Sequence, residues 1–124
     1  MNDHTVKSFD EQLQALSGAV AQMGGLAEAQ LAAAIDAIAR RDSGAAESAV
    51  AGDARIDALQ QEIEERALKL LALRQPMAVD LRDTLAAIKI AGELERIGDL
   101  AKNIAKRALV LNREPPIRLA QSLA

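Results

Sequence analysis

Apolar positions along the first third of the chain recur at helical spacing. Val6, Phe9, Leu13, Leu16, Val20 and Met23 follow one another at intervals of 3, 4, 3, 4 and 3, the alternation of a coiled-coil seam. Past the Gly24-Gly25 pair the stripe continues less strictly through Ala27, Leu31, Ile35 and Ile38. These positions predict a first helix over about 5–41, with Asp42-Ser43-Gly44 supplying a turn and a candidate N-cap. Val50, Ile56, Leu59, Ile63, Ala67, Leu70 and Leu73 form the next stripe and predict a helix over about 44–74. It is expected to end at Arg74-Gln75, because Pro76 disfavours helical geometry in the residue before it. Pro76 suits the first turn of a third helix, predicted over about 77–112 and stopped by Pro115-Pro116.

Three long helices with short connections imply an all-α fold, an antiparallel three-helix bundle running up, down and up. Residues 1–116 are expected to form one domain, and 117–124 the start of a fourth helix or a tail. Helix three carries two apolar faces. Leu81, Leu85 and Ile88 lie on one, and Ile90, Leu94, Ile97, Ala101, Ile104 and Ala108 lie nearly opposite. An isolated bundle needs one buried stripe per helix. Either the buried face shifts along the helix, or a second domain or subunit covers the other side.

Composition agrees with helices and narrows the chemistry. Half of the 124 residues are hydrophobic, yet Phe9 is the one aromatic side chain. Alanine makes up about a fifth of the chain, and with Leu, Glu, Gln, Arg and Lys it favours helix. Cysteine is absent, which excludes disulfides, thiolate zinc sites and thiol catalysis. Nucleic acid is an unpromising partner for a chain of net charge −3 without stacking rings. Residues 1–10 carry Asp3, Lys7 and Asp10 and have no apolar core of a signal peptide. No apolar run is long enough to span a bilayer, so a cytoplasmic protein without direct membrane insertion is expected.

Two acidic pairs stand out. Asp53-Ala54-Arg55-Ile56-Asp57 lies on helix two and Glu95-Arg96-Ile97-Gly98-Asp99 on helix three. Each pair is spaced i, i+4, so both acids leave one side of their helix. Like charges at that spacing repel. If the two faces meet, four carboxylates converge and must protonate, separate the helices or bind a multivalent cation. All-oxygen donors suit hard cations such as ferric iron, manganese, magnesium or calcium, and zinc less typically. Gly92 and Gly98 are expected to leave open space nearby. The plainer alternative is a solvated face, with Asp99 paired to Lys102 and Glu62 to Arg66.

Signals for catalysis are poor. No glycine-rich phosphate loop follows a strand, and the single histidine, His4, lies in the predicted N-terminal tail, away from any nucleophile. A carboxylate-metal hydrolase remains conceivable. Lys102, Lys106, Arg107 and Arg113 gather toward the end of helix three, where they complement the negative end of the dipole or dock an acidic partner.

Three segments, Asp53-x-x-Ile56-Asp57, Arg74-Gln75-Pro76-x-Ala78-x-Asp80-Leu81-Arg82 and Glu93-Leu94-Glu95-Arg96-Ile97-Gly98-Asp99-x-Ala101-x-Asn103-Ile104-Ala105, closely resemble PhoU regulators. The Phe9 to Leu31 stretch, with Met23-Gly24, is similar to that family's first helix. The resemblance runs from about Thr5 to Pro116. It implies one of two similar three-helix bundles, so the chain is expected to be the N-terminal half of a longer protein. It also implies multinuclear iron or zinc, with magnesium or manganese as alternatives, at Asp53, Asp57, Glu95 and Asp99, and Asn103 as a neighbour. The implied function is negative regulation of the phosphate-starvation response. The implied partners are the sensor histidine kinase PhoR and the phosphate ABC transporter's ATPase subunit PstB, which would recruit the protein to the inner face of the membrane. Self-association, as a homodimer, is expected through the uncovered face of helix three. The competing reading is a metal-free helical adaptor or oligomerisation module.

Overall fold

A computed structural model describes residues 3–72 and 78–115. They form three helices: α1, Asp3–Ala39; α2, Ser43–Ala72; and α3, Ala78–Leu111. Cross-helix neighbours give the topology. Gly24 faces Leu94, Gln30 faces Gly98 and Arg41 bonds the Asn112 carbonyl, so α1 and α3 ascend together. Ile56 packs on Gly98, Asp53 meets Lys102 and Ser43 meets Asn112, so α2 descends between them. The result is the antiparallel three-helix bundle.

Helix ends follow local chemistry. α1 stops at Ala39, two residues before the expected end, and Arg41 takes a left-handed conformation with φ 52°. Its neighbour Asp42 donates its backbone N–H to the Ala37 carbonyl at 3.1 Å, closing the helix as a Schellman turn. The Asp42 carboxylate then accepts the Ala45 N–H at 3.0 Å and caps α2 as predicted. At its other end α1 begins at Asp3, so the backbone of His4 is helical where a tail was expected. The predicted stop at Arg74-Gln75, the part of Pro76 in opening the third helix and the reading of 117–124 fall outside the described residues.

The core has two zones. In the first, Leu16, Met23, Ala27, Ile56, Leu59, Ile63, Ala67, Leu70, Ala87 and Ala91 are buried together, with Phe9, Leu13, Val20 and Leu94 packed against them. The second is built almost wholly of alanine: Ala34, Ala37, Ala46, Ala49, Ala101, Ala105 and Ala108. Small side chains at every seam position let helix axes approach more closely than leucine would. Gln30, Asp53 and Gly98 occupy the junction between the zones.

The small-residue seam corrects two expectations. Past Gly24 the buried face of α1 runs through Ala27, Gln30, Ala34 and Ala37, leaving Ile35 and Ile38 exposed. On α3 the buried line is Thr84, Ala87, Ala91, Gly98, Ala101, Ala105 and Ala108, which includes Ala101 and Ala108 of the second predicted face and otherwise runs between the two. Leu81 and Leu85 on one flank, and Ile90 and Ile97 on the other, are exposed, whereas Ile88, Leu94 and Ile104 of the same two faces pack against the core. The large apolar residues displaced the predicted faces to either side of the true contact, because alanine and glycine, nearly silent in a hydrophobicity pattern, form its centre. Buried Thr84 donates its hydroxyl to the Asp80 carbonyl at 2.7 Å, one turn back. No helix among the described residues is long and apolar enough to cross a membrane.

Candidate metal centre

α2 and α3 carry their acids on the shoulders of the seam, and close helix approach turns those shoulders toward each other. Carboxylate oxygens of Asp53, Asp57 and Asp99 all lie within 4.8 Å of one another. Asp53 is buried at 5 % exposure, Asp57 is exposed and Asp99 is half-buried. Glu95 joins this group through Asp99: a hydrogen bond between their carboxyls, with some burial and the nearby negative charges, holds Glu95 above its ordinary 4.5. Asp57 is raised above its ordinary 3.8 by partial burial first, then by Asp53 and Asp99, with Lys102 opposing. Three of the four predicted acids therefore come together across α2 and α3, and Glu95 adjoins them through Asp99 without being one of that group. Asn103, the expected neighbour, is an exposed residue one turn beyond Asp99.

Lys102 belongs to this centre and not to the end of the helix. Its ammonium donates to Asp53 Oδ2 at 2.9 Å and stands 3.8 Å from Asp99 Oδ1. The hydrogen bond to Asp53 and the surrounding negative charge raise Lys102 above its ordinary 10.5. The expected Lys102–Asp99 pair is present, but the cross-helix bond to Asp53 is shorter and was not foreseen. Glu62 and Arg66 pair at 3.1 Å as expected. They line a surface depression with Gln12, Glu65 and Lys69, farther down α2 from the carboxylates.

The donor set fits a hard cation. One lysine faces several acids, and Asp53 Oδ1 is buried without a hydrogen-bond partner, an arrangement costly unless something else satisfies it. A multivalent cation among carboxylate oxygens would supply that partner and relieve the repulsion that adds to burial at Asp57 and to the Asp99 hydrogen bond at Glu95.

Gly98 departs from expectation. It is buried, and a Cβ there would stand 3.0 Å from Gln30 Oε1 and 3.3 Å from Ile56 Cδ1, so its missing side chain is already replaced by neighbours. Gly92 does face open space. Gln30 itself was missed. Its signal was present as a polar residue in core register, in the series Met23, Ala27, Gln30, Ala34, Ala37.

Fold and centre together define a class: antiparallel three-helix modules with a carboxylate cluster on the α2–α3 seam. The chain belongs to the PhoU domain family, whose profile matches residues 20–108. It is 58% identical over 117 residues to the phosphate-specific transport system accessory protein PhoU homolog of Caulobacter vibrioides, covering 94% of this chain and 51% of that protein. The like-named protein of Xylella fastidiosa is 48% identical over 122 residues, covering 98% of this chain and 50% of the relative. The crystal structure of PhoU from Pseudomonas aeruginosa superposes with a TM-score of 0.83 at 37% identity, over 85% of this chain and 50% of that one. The chain thus spans about half the length of the relatives it matches.

Proposed function

We propose that this chain is the N-terminal module of a cytoplasmic, non-enzymatic regulator of phosphate uptake and phosphate-starvation signalling. In this reading it holds a hard cation at Asp53, Asp57, Glu95 and Asp99, and docks through its helices on the transporter's ATPase subunit and the sensor histidine kinase. The observation that carries the metal reading is the convergence of carboxylates from two helices within 4.8 Å, beside a buried, unpartnered Asp53 oxygen. The transport reading is supported by relatives named as accessory proteins of the phosphate-specific transport system.

The chain's own residues do the structural work. Lys102 holds one oxygen of Asp53 and leaves the other free. Asp57, Glu95 and Asp99 gather on the open side, where a cation would join α2 to α3 by neutralising their charge. Stiffening that seam fixes the helical face offered to a partner. A binder that prefers one kinase conformation shifts the kinase's equilibrium by its differential affinity. The exposed Ile90, Ile97 and Leu100 side chains of α3 are apolar positions through which this module would self-associate.

Elemental analysis of protein purified without chelator tests the metal reading. Bound iron, zinc or manganese is expected, lost in Asp57→Ala plus Asp99→Ala. Equal metal in the double variant would remove the site. Phosphate-ester turnover above background, abolished by the same pair, would favour a carboxylate-metal hydrolase instead.

A further inference from the structure

Gln30, Asp53 and Thr84 are the polar side chains buried among the described residues. Thr84 is satisfied by the Asp80 carbonyl. Gln30 Oε1 and Asp53 Oδ1 are not: both are buried acceptors with no donor. Two orphaned oxygens at one level of a bundle are rarer than one and point to a shared cause.

The contacts of Gln30 link it to the carboxylate centre. Its Nε2 donates to the Ala49 carbonyl at 2.7 Å. In an α-helix that carbonyl also receives the N–H four residues on, which is Asp53. Gln30 Cγ lies 4.0 Å from the position a Cβ of Gly52 would take, and Oε1 lies 3.0 Å from that of Gly98. Gly52 directly precedes Asp53 and Gly98 directly precedes Asp99. The amide is therefore seated on two Gly-Asp steps, one on each acid-bearing helix. A side chain on Gly98 would displace its oxygen.

We infer that Gln30 is a positioning residue of the carboxylate centre, contributed by α1. It clamps the turn that carries Asp53, spaces that turn from Gly98-Asp99, and holds Oε1 against Gly98, where it would accept hydrogen bonds from water on a bound divalent cation. This rests on the metal reading above and extends it to α1. Such outer partners orient the primary ligands, and their loss typically weakens metal binding by about 10- to 100-fold.

The test titrates Mn²⁺ alone into the wild-type chain, Gln30→Met and Gln30→Glu, by calorimetry, with melting curves in chelator and in Mn²⁺. Gln30→Met keeps the length and removes both polar atoms. It should bind Mn²⁺ about 10- to 100-fold more weakly, yet melt in chelator at or above the wild-type temperature. Gln30→Glu keeps an oxygen donor and loses the clamp. It should melt lower in chelator, bind Mn²⁺ about as tightly as wild type, and gain the same increment from Mn²⁺ on melting. Wild-type affinity in Gln30→Met overturns the role of Gln30 and leaves the metal reading intact. No binding by the wild-type chain overturns both. Equal melting losses with and without Mn²⁺ in both variants reduce Gln30 to a purely structural residue and overturn the proposal. If Gln30→Met does not fold, Gln30→Glu decides: retained binding supports the role, and lost binding overturns it.

Discussion

Lys102 Nζ lies 2.9 Å from Asp53 Oδ2, joining α3 to α2 at the carboxylate cluster. The cluster thus contains its own monovalent cation, and anything multivalent entering the site shares Asp53 with it. Lys102→Met removes that competitor. Mn²⁺ should bind on the order of tenfold more tightly to this variant, while the metal-free variant melts below wild type because Asp53 is left buried without a counter-charge. Calorimetry and melting in chelator check both halves, and unchanged affinity would show that Lys102 and the cation do not compete.

The pH response of the metal-free protein follows from Asp57 and Glu95. Both are raised above their ordinary 3.8 and 4.5, so the folded state holds protons that the unfolded chain releases. The stability this contributes is fully present below those ordinary values and lost as pH rises through the raised folded ones. Metal-free protein should therefore gain stability from these two acids as pH falls from neutrality through their raised values. Saturating Mn²⁺ should flatten or reverse that slope, because the ion competes with the same protons. Urea midpoints at several pH values, with and without the ion, measure both. Lys102 acts at the other end: its raised value stabilises the fold below about pH 10.5, and that contribution is lost as pH climbs through the folded value.

Two glycines on α3 should respond oppositely to substitution. A side chain at Gly98 meets Gln30 and Ile56 at once, so Gly98→Val is expected to cost about 2–3 kcal/mol by overpacking. Gly92 has no atom within 4 Å of a built Cβ, and Gly92→Ala should gain up to about 1 kcal/mol from helix propensity. Chemical denaturation of the two variants separates them, and similar effects at both sites would contradict the packing described here.

Ile56 is fully buried beneath Gly98, in the zone lined by Met23 and Ile63. Ile56→Ala should destabilise by about 2–5 kcal/mol. It should also loosen the cation site, because the cavity opens beneath the seam that brings Asp53 toward Asp99. Denaturation midpoint and Mn²⁺ affinity are expected to fall together.

The exposed Ile90 and Ile97 of α3 predict concentration-dependent association. Light scattering should show a mass above monomer at high protein concentration, reduced to monomer by Ile90→Glu plus Ile97→Glu. A strictly monomeric wild-type chain would assign that apolar surface to another role.

Helix number, order and type were legible in the residues alone, because the 3, 4 spacing from Val6 to Met23 and the stripe from Ile56 to Leu70 are properties of local sequence. The cap at Asp42 was legible for the same reason: an N-cap is satisfied within three residues of itself. The acidic pairs were visible too, since an i, i+4 spacing fixes side-chain direction without knowledge of any other helix. Tertiary structure decided the rest. Which face of α3 is buried depended on alanines and glycines whose value lies in close approach, a quantity that hydrophobicity does not encode. That Lys102 reaches Asp53 depended on the vertical register of α2 against α3, set by packing over their whole lengths. Gln30 became part of the centre only when the bundle closed around it, because what gives a polar core residue meaning is the pair of helices it touches.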